Sequence, residues 1–339
     1  MNIFFGENAL SQLLTLTNSY DKFFVLTDER IYDIYSSMLA SLLPEKEIVK
    51  IVIPSGEHSK SIENVMFIWN RLLESKAGRD TVLINLGGGT ITDIGGFAAG
   101  CYKRGIDFVN VPTTLLAMID ASIGGKNGIN FNNYKNQIGL FSEPQCIIIN
   151  PCFLKTLNNR DILSGLAEMM KYAFIADASF MDLTTDNYLD FIEKAAMTKE
   201  EIVGIDMKES GLRKILNFGH TIGHALESYY LEKEDTLTHG EAVALGIYSA
   251  LYLSKKYCGL DEQWLIFYEM WFKGNLGCLN LDEFNVDSIF DFISHDKKNK
   301  KGKPRFVLIS APEKPMIDVE VNEVDIKDSI LILKNKFAK

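Results

Sequence analysis

Three of the five histidines in this chain fall close together, at His220, His224 and His239. In NFGHTIGHALE, His220 and His224 stand four residues apart, so on a helix their side chains share one face, with β-carbons roughly 5–6 Å apart. His239 opens LTHGEAVALG, which reads as the start of a further helix. Glu168, in SGLAEMMKYAF, is a candidate third ligand from a neighbouring helix. One carboxylate and two imidazoles suit a catalytic zinc that keeps an open coordination position. No H-E-x-x-H occurs, so a zincin protease has no support.

A second constellation is a glycine turn. The apolar run TVLINL leads directly into GGGTITDIGGF, with Gly87, Gly88 and Gly89, then Asp93, Gly95 and Gly96. Glycines between a strand and a helix let backbone N–H groups approach a phosphate, and the helix dipole favours the anion. The spacing is not the G-x-G-x-x-G of dinucleotide folds, and taken alone it equally describes tight helix–sheet packing. PSGEHSK supplies Glu57 and Lys60 after another strand, and Asp28 closes the first strand, where an acceptor for a ribose hydroxyl would sit. Three polar loops at the carboxyl ends of strands place a nucleotide site at that edge.

A third group is cationic. IDASIGGKNGINFNNYKN holds Asp120, Lys126, Lys135 and Asn136 among glycines, and YKRG supplies Arg104. KESGLRKILNFGH supplies Arg213 and Asn217, the latter one turn before His220, and Lys171 shares a helical face with Glu168. Any one lysine is ordinary solvated surface. Lysines within a turn of candidate metal ligands are harder to read that way.

The elements that must position these residues alternate along the first half. KFFVLT (22–27), EIVKIVIP (47–54), TVLINL (81–86), DFVNVP (107–112) and QCIIIN (145–150) read as strands. Helical spacing intervenes through Ile31, Ile34, Tyr35, Met38 and Leu42, and through Ile62, Val65, Met66, Ile68, Trp69 and Leu72. Such alternation predicts a parallel, doubly wound sheet. Helical periodicity dominates from Leu163 to Tyr257 and from Asp261 to about Phe292, with RFVLIS (305–310) as a late strand. We read an α/β domain over 1–151 and a mostly helical domain over 152–339.

At 339 residues, with 47% hydrophobic and 24% charged, the composition is that of a globular protein with room for two cores. A net charge of -10 argues against a nucleic-acid binder, which needs a basic face. No apolar run is long enough to span a membrane, and MNIFFGENALSQLL lacks the features of a signal peptide. Five cysteines without a C-x-x-C pair read as reduced and cytoplasmic.

Taken in order, GGGTITDIGGFAAGCYKRGIDFVNVPTTLLAMIDASIGGKNGIN, KNQIGLF, SGLAEMMKYAFIAD, SGLRKILNFGHTIGHALE, THGEAVALG and DKKNKKGKPRFVL resemble the 3-dehydroquinate synthases, over about residues 54–310. That family belongs to the sugar-phosphate cyclases and shares its fold with metal-dependent polyol dehydrogenases. The resemblance implies an N-terminal domain with a Rossmann-like doubly wound sheet and a mostly α-helical C-terminal domain. It implies NAD and Zn2+ (or Co2+) as cofactors and 3-deoxy-D-arabino-heptulosonate 7-phosphate, a small anionic sugar phosphate, as substrate. Glu168, His220 and His239 match metal ligands of the family. Glu57, Lys60, Gly88, Gly89, Asp93, Thr113, Thr114, Lys135 and Thr156 match NAD-contacting positions, with Asp120 and Lys126 beside them. Asp120, Lys126, Asn136, Lys171, Lys199, Arg213, Asn217, His224 and Lys297 match the substrate pocket. Arg104 matches an arginine that reaches the neighbouring subunit's site, which implies a homodimer. Two departures stand out: the loop after Lys126 lacks the commoner proline, and Arg30 replaces a smaller residue beside the adenosine. The alternatives are a cyclase for a carboxylate-free sugar phosphate, a polyol dehydrogenase, and a non-catalytic NAD- or zinc-binding relative. The first has less need of Arg213 with Asn217.

Overall fold

A computed structural model describes residues 1–16, 19–42, 48–132, 134–231, 233, 237–281, 284–294 and 304–339. The chain divides into two compact units. One comprises Met1–Leu157 with Lys199–Lys208, and the other Asn158–Thr198 with Glu209–Lys339. The division falls at Leu157, and a short later segment joins the N-terminal unit.

The first unit is built on a six-stranded sheet of β1 (Ile3–Phe5), β2 (Lys22–Asp28), β3 (Ile48–Ile53), β4 (Thr81–Gly87), β5 (Asp107–Pro112) and β8 (Cys146–Ile149). Its order is β1-β8-β5-β4-β2-β3 and every pairing is parallel. β4 is buried along its whole length, which explains its nearly all-apolar sequence; the buried Asn85 within it donates to Asn110 Oδ1 of β5. Alternate residues Phe24, Leu26, Ile51, Ile53, Leu83 and Phe108 face one core. There they meet α3 (Ile62–Glu74) through Val65, Ile68 and Leu72, and α4 (Gly89–Cys101) through Ile91 and Ile94. Met66, on the apolar spacing read from the sequence, instead lies on the exposed face of α3. After β2 the chain adds β3 on one side and β4 on the other, so the strand order reverses between β2 and β4. In open α/β sheets, ligands bind at the carboxyl ends of strands flanking such a point.

Two strands absent from the sequence reading form an antiparallel hairpin, β6 (Lys126–Phe131) with β7 (Tyr134–Phe141). The lysine- and glycine-containing stretch read as a loop is therefore partly a ribbon. It packs on α4, where a β-carbon on Gly96 would stand 2.0 Å from Asn127 Oδ1.

The second unit is helical: α5 (Asn159–Ile175), α7 (His220–Tyr230), α8 (His239–Cys258), α9 (Gln263–Asn275), α10 (Val286–Ser294) and α11 (Glu323–Phe337), with part of α6 (Ile192–Ile205). A two-stranded ribbon, β9 (Arg305–Ile309) with β10 (Pro315–Glu320), completes it. α8 is the buried axle. A capping box of Thr238 and Glu241 starts it, and Gly259 in the left-handed region ends it. Ser249 Oγ donates to the Ser329 carbonyl of α11, and the Ala244 carbonyl accepts from Tyr268 of α9. Among the described residues, no helix is long and apolar enough to cross a membrane.

Candidate active site

Glycine contacts fix where the helices of the second unit can sit. A β-carbon on Gly240, the second residue of α8, would stand 2.0 Å from the Ser164 carbonyl oxygen of α5. One on Gly246 would stand 2.0 Å from the Gly219 carbonyl oxygen, just before α7. Gly219 itself has φ +81 and turns the chain into α7 with its backbone against Ile247. So α8 lies at backbone contact with the elements bearing Glu168 and His220.

The result is a cluster of three donors. Glu168 Oε1 is 3.1 Å from His220 Nε2 and 3.1 Å from His239 Nε2. The three ligand atoms lie within 4.8 Å of one another. Glu168 is 1% exposed, so its charge needs partners. Lys171 Nζ, on the next turn, is 2.6 Å from Oε2 as an ion pair whose angles fall outside those of a hydrogen bond. Burial alone would raise the Glu168 carboxyl, but the Lys171 cation outweighs it and holds it well below the usual range. Burial lowers His220. It would lower His239 too, but hydrogen bonds to Glu168 and Glu227 hold that imidazole up at about 10.

The hydrogen-bond geometry at His220 tests whether a metal fits. His220 Nδ1 is 3.1 Å from the Phe218 carbonyl oxygen, which can only accept, so the ring proton belongs on Nδ1. A neutral His220 then turns the Nε2 lone pair toward Glu168 Oε1, acceptor facing acceptor. A cation among these atoms resolves that opposition, and the donor set suits zinc or cobalt.

Of the other residues that the sequence sets in this unit, one adjoins the cluster. His224 is half-buried, its ring centroid 5.2 Å from that of His220 and 5.9 Å from that of His239. Arg213 is buried in the turn Leu212–Asn217. Asn217 Nδ2 donates to Glu209 Oε1, and Glu209 sits in the left-handed region at φ 58. Lys297 lies outside the described residues. The sequence reading passed over Glu209 and Glu227. Glu227 had a usable signal, since it follows His220 by seven residues and His224 by three on one helical face.

In the first unit, Gly88 caps α4 directly after β4. A β-carbon on Gly88 would meet Thr114 Cγ2 at 3.0 Å, so the turn is tight against the loop after β5. Thr113 N donates to the Gly87 carbonyl, while the buried Thr113 Oγ1 finds no hydrogen-bond partner among the described residues. Thr27 Oγ1, near the end of β2, is in the same condition. Two orphaned hydroxyls and a helix N-terminus at the carboxyl ends of β2, β4 and β5 fit a polar, anionic cofactor such as NAD. Lys60 Nζ pairs with Asp93 Oδ2 at 2.6 Å, and lies 3.7 Å from Glu57 Oε1. Glu57 also accepts from Thr90 and Asn130. Asn136 N donates to Asn130 Oδ1. Asp28 Oδ1 accepts from Ser55 Oγ and from Ile31 N at the start of α2 (Glu29–Leu42), so this oxygen also has a structural role. Arg30 is exposed there, its N–H directed at Ser55 Oγ.

Lys199 is grouped with the first unit and is buried, with Nζ 2.7 Å from Asp120 Oδ1 and 2.6 Å from the Asp120 carbonyl. Asp120 rides on a π-turn, Ala117–Ala121, a local widening often found at functional positions. Thr156 is exposed and shares a 2.6 Å hydrogen bond with Tyr35. Lys126 and Arg104 are exposed and Lys135 half-buried, with Arg104 at φ 71.

Comparison with known proteins places this arrangement. The family model for the 3-dehydroquinate synthase N-terminal region matches residues 50–164, and that for the C-terminal region matches residues 165–299. A 3-dehydroquinate synthase of Parabacteroides distasonis is 40% identical over 321 residues, covering 92% of this chain and 90% of that protein. The structure of 2-epi-5-epi-valiolone synthase from Streptomyces hygroscopicus subsp. jinggangensis, with NAD+ and Zn2+ bound, is 26% identical with a TM-score of 0.88, covering 98% of this chain and 96% of that one. A 2-deoxy-scyllo-inosose synthase complexed with carbaglucose-6-phosphate, NAD+ and Co2+ is 24% identical with a TM-score of 0.86, covering 97% and 95%, a likeness of fold alone. With both family regions matched in order and a relative of this identity along nearly its whole length, the chain belongs to the 3-dehydroquinate synthase family.

Proposed function

We propose that the chain is a 3-dehydroquinate synthase, converting 3-deoxy-D-arabino-heptulosonate 7-phosphate to 3-dehydroquinate and phosphate with no net redox change. The observation that carries this reading is the Glu168, His220 and His239 cluster with Lys171 buried against it, in a chain of this family. NAD in the first unit is supported by the Gly88 turn and the orphaned Thr113 hydroxyl, and a zinc or cobalt ion in the second by the opposed acceptors. The 2-epi-5-epi-valiolone synthase solved with NAD+ and Zn2+ bound agrees with both.

When bound, the metal polarises a substrate oxygen, and NAD takes up and returns a hydride. The chain's own groups do the rest. Arg213 offers a planar fork matched to the substrate carboxylate. Lys171 and Lys199 are held in place by Glu168 and Asp120, so they meet an anion without first being ordered. Lys126, Asn136 and Lys297 share the remaining anionic contacts. His224, half-buried beside the two ligand imidazoles, holds or passes a proton. Glu57, Lys60, Asp93, Thr114, Lys135 and Thr156 contribute to the cofactor site.

We read the protein as a cytoplasmic homodimer. Five free cysteines support the compartment. Exposed Phe131, Ile138 and Phe141 on the hairpin, with exposed Arg104, support association through the first unit.

The test is a coupled assay with the heptulosonate phosphate, NAD and zinc, following phosphate release and dehydroquinate together. Equal rates without accumulated NADH are expected. Turnover of a carboxylate-free sugar phosphate or a polyol instead would refute the substrate assignment.

A further inference from the structure

The two imidazoles of the metal cluster are held differently at their far nitrogens. His220 Nδ1 meets the neutral carbonyl of Phe218 at 3.1 Å, whereas His239 Nδ1 meets the carboxylate of Glu227, Oε2, at 3.4 Å. Glu227 has a side chain only 10% exposed, so it is no solvated surface acid. It lies on α7, the helix that carries His220, and reaches across to α8. The reach depends on the helices touching: a β-carbon on Gly223, one turn earlier, would stand 3.1 Å from both the Ala242 carbonyl oxygen and Val243 Cα. One helix therefore supplies a donor of its own and the partner of a donor on its neighbour. The two nitrogens of an imidazole point in divergent directions, so a carboxylate bonded at Nδ1 cannot reach an ion held at Nε2.

We propose that Glu227 is the positioning residue of the metal centre. Its carboxylate accepts the Nδ1 proton of His239, which fixes tautomer and ring angle so that Nε2 aims at the ion. Its charge makes that imidazole the stronger donor. The inference rests on the metal reading of Glu168, His220 and His239.

The experiment strips the full-length protein of metal and titrates it with Co2+ alone, reading the visible absorption bands and competing with a chelator of known affinity. Wild type should take up one ion. Glu227→Ala should bind about 10- to 100-fold more weakly and shift the bands, because the ring is no longer held. Glu227→Gln keeps an accepting oxygen but loses the charge, so it should retain the band shape and bind more weakly than wild type but more tightly than Glu227→Ala. Should the alanine variant fail to fold, the glutamine variant still decides. Unchanged affinity and bands in the folded variants overturn the proposal. Two ions per chain, one of them lost in Glu227→Gln, overturn it by making Glu227 a ligand. If wild type takes up no cobalt, the metal reading itself fails, and the role of Glu227 falls with it.

Discussion

Replacing Gly240 with alanine adds one methyl group at the point where α8 touches α5. The added β-carbon would stand 2.0 Å from the Ser164 carbonyl oxygen, 2.4 Å from its Cα and 2.5 Å from its carbonyl carbon. Ordinary contact begins near 3.4 Å, and these are backbone atoms that cannot rotate aside. The helices must separate locally by about 1.4 Å, an overpacking that costs about 1–3 kcal/mol. The hydrogen bond from Gly240 N to Ser164 Oγ is lost with it, about another 1 kcal/mol. Exchanging glycine for alanine in a helix returns at most ~1 kcal/mol of propensity, so the clash wins. The site is more sensitive than the fold. Ser164 is one turn before Glu168 and Gly240 adjoins His239, so the separation acts on the 3.1 Å approach of Oε1 to Nε2. Metal–ligand distances tolerate only about 0.2 Å of error. Gly240→Ala should therefore lose tight zinc binding while remaining folded, read by bound zinc after gel filtration and by far-ultraviolet circular dichroism. Gly274→Ala in α9 is the control, since a β-carbon there meets nothing within 4 Å. A Gly240→Ala protein with full zinc content and wild-type stability would refute the close-approach argument.

His220→Ala removes one of the three proposed ligands, so metal content and turnover should be abolished with the fold retained; a zinc-replete, active variant would unseat His220. Thr113→Val removes a buried hydroxyl without a partner among the described residues, so the cofactor-free protein should be unchanged or more stable by about 1–3 kcal/mol, whereas NAD should bind more weakly. Calorimetric titration with NAD and denaturant unfolding read the two effects separately, and a loss of both together contradicts the reading. Lys60→Met strips Asp93 of its 2.6 Å partner and should weaken NAD at least about tenfold, or 1.4 kcal/mol; an unaltered dissociation constant would remove the pair from the cofactor site. Asp325, at the start of α11, is held below the ordinary carboxylate range by hydrogen bonds from Lys256 and Tyr257. Its contribution is therefore complete above the unfolded value of about 3.9 and fades as pH falls through the lower folded value. Amide exchange in α11 followed from pH 7 to pH 3 should show that loss in wild type and a flatter profile in Asp325→Asn.

How much of this was legible depends on whether the signal is local. β2, β4 and β5 were readable because strands buried on both faces are mostly apolar, with the polar Asn85 and Asn110 paired to each other, and the helix pair His220 and His224 was readable from spacing alone. β1 has three residues, too few to carry a period. The β6–β7 hairpin was obscured because its glycines and lysines look like loop, although Ile129 and Phe131 alternate ahead of two asparagines in the sequence. Glu227 carried the right spacing, but spacing cannot say that α8 lies across α7. Gly240 carried no signal at all, because only the proximity of Ser164 gives it a role. The grouping of Lys199–Lys208 with the first unit is likewise a long-range contact that periodicity cannot register.

The lysines posed the hardest choice in the sequence, since each alone reads as solvated surface, and burial changes that choice. Among the described residues, the buried Lys and Arg side chains are Lys60, Lys171, Lys199 and Arg213. Lys60, Lys171 and Arg213 stand near glycines, carboxylates or histidines in the sequence reading, and Lys199 enters it through the family resemblance alone. Burying a cation is costly unless it is paired, and a structural purpose would be served as well by a leucine or methionine of similar volume. Lys60, Lys171 and Lys199 each face a carboxylate, Asp93, Glu168 and Asp120. Such pairs come close to neutral, which lets an acidic chain of net charge -10 keep cations in place without raising its overall charge. Lys171 differs from the other two because its carboxylate is shared with two imidazoles. A metal that claims Glu168 leaves Lys171 less neutralised, and so better able to hold an anion. On this argument metal-loaded protein should bind inorganic phosphate more tightly than metal-free protein, and Lys171→Met should shrink the difference to what the ion alone supplies. Equal phosphate affinity in the loaded and stripped wild type would show that the pair is structural.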